Sequence, residues 1–318
     1  MSAAQPTAAG LLAVARAAAA AGAAVLAERW HGAHPARQLT PEALGAETKS
    51  SGSDWVTEFD RRAEDAVRRV LASYRPHDEI SGEEHGVTTP TDPSGLRWSI
   101  DPLDGTTNFI RGVPQFCTSV AVCGPALDAA DQTAGTRGDG EPVWLAGAVV
   151  APALHRTWYA AQGEGAFCVL DADPVRLGVG PGHAAPDAAQ PVRLTGPVPS
   201  RSGRLLATGF GYDPRRRARQ LRDLGRLMEG FGDVRRIGSA ALDLCMVADG
   251  TLDAYAELGT QEHDWAAGAL IAEEAGVVVH RPRHPDGGAR PDWALAGTLE
   301  GGLVESLRAE YVDEKESR

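Results

Sequence analysis

The spacing of apolar residues predicts two N-terminal helices followed by a run of strands. Apolar side chains recur at helical intervals over residues 10–30 and again from Glu58 onward. Thr57 and Asp60 lie three residues apart at the start of the second helix, as the partners of a capping box do. Apolar runs then predict strands at 96–100, 116–122, 143–150, 156–161 and 166–170, with a glycine turn between the last two.

The second half of the chain alternates between strand and helix patterns. Strands are predicted at 205–208, 234–237, 252–256 and 277–280, and helices at 215–229, 239–248 and 264–275. This order indicates an α/β lobe that follows a meandering α+β lobe, and we divide the chain into residues 1–195 and 196–318. Segments 124–141 and 171–190, rich in Gly, Pro, Ala and Asp, are predicted to be surface loops.

The overall charge narrows the possible partners. The 318 residues carry 31 Lys+Arg against 43 Asp+Glu, a net charge of −12. An acidic chain repels phosphate backbones and anionic lipids, so we expect neither nucleic acid nor a membrane as a partner. The apolar run 17–27 is short for a span of about 20 residues, and no basic signal region precedes it. Four cysteines without a CxxC pair favour reduced thiols, and we expect a cytoplasmic protein.

The most informative stretch is WSIDPLDGTTNF, residues 98–109. An apolar strand leads into Asp101 and Asp104, and Pro102, which cannot donate to a strand ladder, is expected to end it. Gly105 permits a positive φ, and the turn after it can aim backbone N–H groups at an anion. The loop therefore offers two hard oxygen ligands and a phosphate cradle. A polar turn whose aspartates bond their own backbone is the alternative.

Other acidic residues strengthen the case, although each has a simpler explanation when taken alone. Glu83 and Glu84 stand in a glycine-flanked loop that could be a solvated turn. Asp264 opens a predicted helix and could serve as its N-cap, and Asp60 could serve only in the capping box.

Taken together, these residues resemble the inositol monophosphatase family of magnesium-dependent, lithium-sensitive phosphatases, over about residues 10–276. The resemblance implies a layered α-β-α-β-α sandwich of the inositol monophosphatase and fructose-1,6-bisphosphatase type, usually as a homodimer. It rests on four blocks that occur in the family's order: KSS…DWVTEFD (49–60), GEE (82–84), DPLDGTTNF (101–109) and GSAA…DG…DAY…E…DWAAG (238–268).

The resemblance also implies roles for individual residues. The metal ligands would be Glu83, Asp101, the Leu103 carbonyl, Asp104 and Asp264. The catalytic residues would be Thr106 and Asp60, which activate the attacking water, together with Glu83. The substrate contacts would be Gly105, Thr106, Gly238, Ser239, Ala240 and Glu257. One departure from the family is visible, because His263 stands immediately before Asp264, where the family commonly has Trp.

The chemistry of this residue set agrees with a divalent metal centre. Carboxylates about 4 Å apart repel by about 1 to 4 kcal/mol per pair, so four of them need protons or cations. The set contains only oxygen ligands and no Cys or His, which favours Mg²⁺ or Mn²⁺ over Zn²⁺. Two ions would neutralise the four carboxylates, and the resemblance allows two or three.

Competing hydrolase signatures are missing from the sequence. Pro102 stands where a haloacid-dehalogenase-type enzyme has its nucleophilic aspartate, and there is neither a nucleophile elbow nor a P-loop. We therefore predict a Mg²⁺-dependent phosphomonoesterase that acts on a small polyol phosphate by direct water attack. The first choice is myo-inositol 1-phosphate, and histidinol phosphate, fructose 1,6-bisphosphate and 3′-phosphoadenosine 5′-phosphate are alternatives. A catalytically weak, metal-binding regulatory paralogue is the alternative of another class.

Overall fold

The computed structural model describes residues 6–32, 46–48, 55–127, 143–170, 190–199, 202–282 and 292–299, with residues 303 and 307. Most of the two predicted surface loops, the tail, and residues 49–54 of the first family-like block lie outside the described residues.

Six helices and fifteen strands are present in the described part of the chain. The helices are α1 (Ala8–Gly32), α2 (Glu58–Tyr74), α3 (Thr106–Arg111), α4 (Pro214–Leu227), α5 (Ala240–Ala248) and α6 (Glu262–Glu274). The strands are β1 (Glu47–Thr48), β2 (Trp55–Val56), β3 (Glu79–Gly82), β4 (Gly86–Thr88), β5 (Arg97–Asp104), β6 (Cys117–Gly124), β7 (Val143–Ala151), β8 (Arg156–Ala161), β9 (Gly165–Leu170), β10 (Val192–Arg193), β11 (Leu205–Thr208), β12 (Asp233–Arg235), β13 (Ala254–Leu258), β14 (Val279–His280) and β15 (Trp293–Gly297).

The strands form two large sheets and a small β1–β2 ribbon. The first sheet has eight strands in the order β10-β9-β8-β7-β6-β5-β3-β4, and it is antiparallel except for the parallel β3–β5 pair. The second has five strands in the order β12-β11-β13-β15-β14, with parallel pairing on both sides of β11. The proposed lobe boundary at residue 196 falls between the two sheets in sequence and stays a prediction.

The helices form three layers around these sheets. Helices α1 and α2 cover one face of the eight-stranded sheet, where Leu11 and Val67 join the core around Trp98. Helices α5 and α6 fill the space between the sheets, and α4 packs its buried Leu227 against the outer face of the five-stranded sheet. The α-β-α-β-α sandwich predicted from the sequence is therefore confirmed.

Helix α1 is longer than its apolar run suggested. By length and composition, the segment Ala8–Trp30 would suffice to cross a membrane. In the structure, however, its apolar stripe packs on the eight-stranded sheet and on α2, with Leu11, Ala15, Ala18 and Leu26 fully buried. The helix is therefore buried along one side, and 39% of its most apolar window is covered by the rest of the protein.

Pro102 does not end its strand, contrary to the sequence prediction. Strand β5 continues to Asp104, and its pairing with β6 shifts register between Asp101 and Asp104. The irregularity removes the need for a backbone donor at Pro102, whose carbonyl accepts instead from the Thr118 hydroxyl at 2.9 Å.

The structure excludes one local alternative and agrees with another expectation. Asp264 is not the N-cap of its helix; it is the third residue of α6, and Gln261 occupies the N-cap in a capping box. The glycine-flanked loop at Glu83 and Glu84 is a turn, as expected, and it forms the tip of a hairpin because β3 and β4 pair on either side of it. The four cysteines are free, as expected, and three of them are buried.

Candidate active site

Strand pairing places Glu83 beside Asp101. Parallel strands β3 and β5 pair Gly82 with Ile100, so the residue after each faces the same end of the sheet. The Glu83 N–H donates to the Ile100 carbonyl at 3.2 Å, which fixes the start of the acidic turn. Two carboxylates that are 18 positions apart in sequence therefore meet at one sheet edge.

Asp101 and Asp104 are both buried and are held by different elements. The Asp101 carboxylate accepts from the Leu103 N–H at 3.0 Å, within the irregular end of β5. The Asp104 Oδ2 atom accepts from the Ser239 hydroxyl at 2.6 Å and from the Ala241 N–H at 2.7 Å, both at the start of α5. The predicted substrate residue Ser239 thus links the second half of the chain to a predicted metal ligand.

The acids of this cluster disfavour each other's charged forms. Burial, followed by the charges of Glu83, Asp104 and Asp264, raises the pKa of Asp101 well above its usual value. Burial and then the charge of Asp264 raise the pKa of Asp104 to about 7, against the hydrogen bonds from Ser239 and Ala241. A cation among these oxygens would relieve both the repulsion and the burial penalty, so the donor set fits a divalent metal.

Asp264 joins the cluster from the second half of the chain. It lies in the first turn of α6, where its Oδ2 atom accepts from the Gln261 N–H at 2.6 Å. The capping box therefore fixes the carboxylate through Oδ2, while Oδ1 lies 3.5 Å from His263 Nε2. The charge of Asp264 acts on both Asp101 and Asp104, so the capping role does not remove Asp264 from the acidic cluster.

Asp60 and Thr106 form the second predicted unit of the site. The Thr106 hydroxyl lies 3.1 Å from Asp60 Oδ1 and 3.1 Å from the Leu103 carbonyl. The other Asp60 oxygen accepts from the Thr57 N–H and hydroxyl, at 2.7 and 2.5 Å. Burial raises the pKa of Asp60 to about 7, although the Thr57 hydrogen bonds oppose that shift. A carboxyl group with such a pKa can take up a proton near neutral pH.

The turn after Asp104 requires glycine. Gly105 has φ +96°, and a Cβ there would lie 2.8 Å from the Gln115 carbonyl oxygen. Helix α3 begins directly after it at Thr106, and Asn108 holds the turn by donating to Gln115 and Ile237 carbonyls at 2.7 and 2.9 Å. This is the backbone shape that the predicted phosphate turn needs.

The remaining predicted substrate residues border the same acids. Ser239 is the N-cap of α5, preceded by Gly238 at φ +94° and followed by the buried Ala240. Glu257 projects from β13 and accepts from the Tyr255 hydroxyl at 3.1 Å. Burial and the charge of Asp264 raise the pKa of Glu257 to about 7, so Glu257 lies within electrostatic reach of the acidic cluster.

His263 is a component of the site that the sequence analysis missed. Its Nε2 atom lies 3.5 Å from Asp264 Oδ1 and 3.9 Å from Glu83 Oε2. One ligand atom each from Glu83, Asp101 and His263 lie within 4.8 Å of one another. The sequence analysis counted no histidine among the ligands, whereas this group includes a ring nitrogen of His263. The available signal was the histidine noted immediately before Asp264.

Glu64 is a second component that was missed. It is fully buried in α2, and its carboxylate accepts from the N–H groups of Glu84 at 2.7 Å and His85 at 3.2 Å. The Arg68 Nε atom lies 2.7 Å from Glu64 Oε1 and balances the charge of this carboxylate. Gly82 leaves room for Glu64, because a Cβ at that position would collide with Oε1. Glu64 thus anchors the turn that carries Glu83. It was missed because it lies on the buried face of α2, which periodicity assigns to apolar residues.

We expect Glu64→Gln to weaken metal binding beside the Glu83 turn. The amide keeps one acceptor but loses the charge, so the Glu83 turn is held less firmly. The Mg²⁺ concentration that half-saturates the protein in a calorimetric titration should rise about 10-fold, the scale of outer-shell substitutions at metal sites. The matched control is Glu28→Gln, which removes an exposed acid paired with Arg62. An unchanged Mg²⁺ response in Glu64→Gln would show that the turn does not depend on this anchor.

The chain is similar to known proteins in both sequence and structure. The model of the inositol monophosphatase family matches residues 8–311. The inositol-1-monophosphatase SuhB of Mycobacterium tuberculosis is 42% identical over 243 residues, which are 74% of this chain and 72% of that protein. The Nus factor SuhB of Escherichia coli is 32% identical over 279 residues, 86% of this chain and 88% of the relative.

Solved structures give the same result. The structure of Mycobacterium tuberculosis SuhB superposes with a TM-score of 0.65 at 30% identity and covers 98% of both chains. The Thermotoga maritima IMPase superposes with a TM-score of 0.62 at 25% identity and covers 96% of both chains.

Proposed function

The chain belongs to the inositol monophosphatase family and is a phosphomonoesterase, and we propose that it hydrolyses myo-inositol 1-phosphate with Mg²⁺ as its cofactor. The observation that carries this proposal is the meeting of Glu83, Asp101, Asp104 and Asp264 beside the Thr106–Asp60 pair. The name of the Mycobacterium tuberculosis relative supports the choice of substrate.

The donor set suits Mg²⁺ in charge and in ligand type. Carboxylates and a backbone carbonyl are hard oxygen ligands, and the raised pKa values of Asp101 and Asp104 mark a site that favours a cation. The residues that would hold the ions are Glu83, Asp101, the Leu103 carbonyl, Asp104 and Asp264. When bound, Mg²⁺ would supply charge neutralisation and Lewis-acid polarisation of the phosphoryl group.

The protein's own residues would then direct a water molecule at phosphorus. Thr106 passes its hydroxyl proton to Asp60, 3.1 Å away, as it accepts a proton from the attacking water. The water oxygen forms the new bond to phosphorus, and the ester bond on the opposite side breaks. The Gly105–Thr106 turn binds the phosphate, and Glu83 orients the water. The leaving alkoxide takes up a proton from a solvent water, and Asp60 returns the proton it received to solvent, so the net reaction consumes one water. No covalent phosphoenzyme forms.

Glu257 is proposed to select the leaving group. A buried carboxylate can accept hydrogen bonds from two neighbouring hydroxyl groups of a polyol ring. Gly209 makes room for it, because a Cβ at that position would collide with the Glu257 carboxylate. Ser239 and the Gly238–Ala240 backbone would complete the contacts on the α5 side.

We expect Glu257→Gln to cost about 1 to 3 kcal/mol in kcat/KM for myo-inositol 1-phosphate. The same change should cost little for an aryl phosphate, which has no hydroxyl groups to bond. The aryl substrate is therefore an internal control. Equal losses on both substrates would show that Glu257 supports the metals or the fold instead of the polyol.

The substrate proposal is tested by kcat/KM for four phosphomonoesters: myo-inositol 1-phosphate, histidinol phosphate, fructose 1,6-bisphosphate and 3′-phosphoadenosine 5′-phosphate. The inositol ester should give the highest value. A higher kcat/KM for another ester would identify that ester as the preferred substrate and would leave the phosphatase activity as proposed.

A regulatory role through a protein partner is the second candidate, since the Escherichia coli relative is named as a Nus factor. The complete acid set and the Thr106–Asp60 pair favour catalysis in this chain. We further propose a cytoplasmic homodimer, and light scattering on the purified protein would measure the oligomeric state.

A further inference from the structure

We propose that His263 is a metal ligand, which gives the Glu83–Asp101 position a nitrogen donor and a preference for Mn²⁺-like transition ions over Mg²⁺. This inference rests on the proposed metal site and adds to it the class of ion that one position takes.

The position of His263 is set by the protein backbone. It is the second residue of α6, directly before Asp264, whose capping box with Gln261 fixes the first turn. The imidazole is 20% exposed, and its Nε2 atom lies 3.5 Å from the Asp264 carboxylate and 3.9 Å from the Glu83 carboxylate. The backbone that carries the ring is therefore held by the same contacts that hold a predicted metal ligand.

The distances favour a shared ion over a direct ion pair. Charge-assisted hydrogen bonds from histidine to carboxylate measure about 2.7 to 2.9 Å. The His263 Nε2 atom lies 3.5 Å from Asp264 Oδ1 and 3.9 Å from Glu83 Oε2, beyond that range. Two ligands of one octahedral ion at about 2.1 Å stand roughly 3.0 Å apart when adjacent and roughly 4.2 Å apart when opposite. The observed separations lie between these two values, so small side-chain movements would let one ion contact His263 and a neighbouring carboxylate.

The nitrogen donor of His263 determines which ion binds more tightly. Mg²⁺ is a hard ion that favours oxygen, whereas imidazole suits transition ions, and Mn²⁺ accepts both donor types. A site with Glu83, Asp101 and His263 should therefore bind Mn²⁺ more tightly than an all-oxygen site would. Mg²⁺ should still bind through the oxygens.

Pulsed EPR of the metal-free protein loaded with Mn²⁺ tests the assignment directly. We expect ¹⁴N modulation from a coordinated imidazole in the wild type and its loss in His263→Gln. The matched control is His85→Gln, because His85 belongs to the neighbouring turn but pairs with Asp65 at 3.1 Å. In wild-type protein labelled uniformly with ¹⁵N-histidine, ¹⁵N modulation should replace the ¹⁴N modulation. This measurement needs no variant.

Calorimetry gives the corresponding affinities. His263→Gln should weaken Mn²⁺ binding about 10-fold and Mg²⁺ binding less than about 2-fold. Bound Mn²⁺ without nitrogen coupling in the wild type, or coupling that persists in His263→Gln, would overturn the assignment and leave the metal site intact. Failure of both ions to bind the wild type would overturn the proposed cofactor as well.

Discussion

Asp101→Asn should lower kcat/KM for phosphomonoesters by at least about 10³-fold, equivalent to about 4 kcal/mol of transition-state stabilisation. Asp101 is the most buried acid of the cluster, and Glu83, Asp104 and Asp264 all act on it electrostatically. Its carboxylate is therefore placed to neutralise more than one ion. Steady-state kinetics at saturating Mg²⁺ measures the effect.

The same variant should not destabilise the metal-free protein. Burial and the neighbouring acids already disfavour the charged Asp101 carboxylate, so a neutral amide of the same shape relieves a penalty. The melting temperature without metal should stay equal or rise, and its increase on adding Mg²⁺ should shrink. The control is Asp65→Asn, which changes an exposed acid on α2. Near-normal turnover in Asp101→Asn would rule out a metal centre built on this residue.

Thr106→Ala should lower kcat by about 10² to 10⁴-fold while KM changes little. The hydroxyl stands between Asp60 and the predicted metal-binding carbonyl of Leu103. In the proposed mechanism it acts on the attacking water, whereas the backbone of the Gly105–Thr106 turn binds the phosphate. Thr107→Ala is the matched control, because that hydroxyl faces Tyr212 at 3.5 Å. A raised KM with an unchanged kcat would make Thr106 a binding residue only.

The fold was largely predictable from the sequence because its elements carry strong periodicity. The apolar spacing of α2 and the Thr57–Asp60 capping box appear in the structure as expected. The alternation after residue 204 also predicted the layered second half. The sequence analysis did not predict strand β15. Its five residues follow a segment without a clear apolar pattern, and the strand is defined by its pairing with β13.

The sequence pointed to the acids of the candidate site, but not to the residues that support them. Asp101 and Asp104 stand in a motif that a strand and a glycine turn explain locally. Glu64 bonds the backbone of Glu84, 20 positions away, and His263 approaches the Glu83 carboxylate from a distant part of the sequence. Such contacts depend on how α2, α6 and the β3–β4 hairpin pack together, and periodicity along one element does not report on them.

The most direct test of the account is phosphate release from myo-inositol 1-phosphate by chelator-stripped protein as Mg²⁺ is added back. The acidic cluster predicts no measurable turnover in the stripped protein and a saturable recovery with Mg²⁺, which Asp101→Asn should abolish. Full activity that persists in the stripped protein would contradict the metal-dependent mechanism.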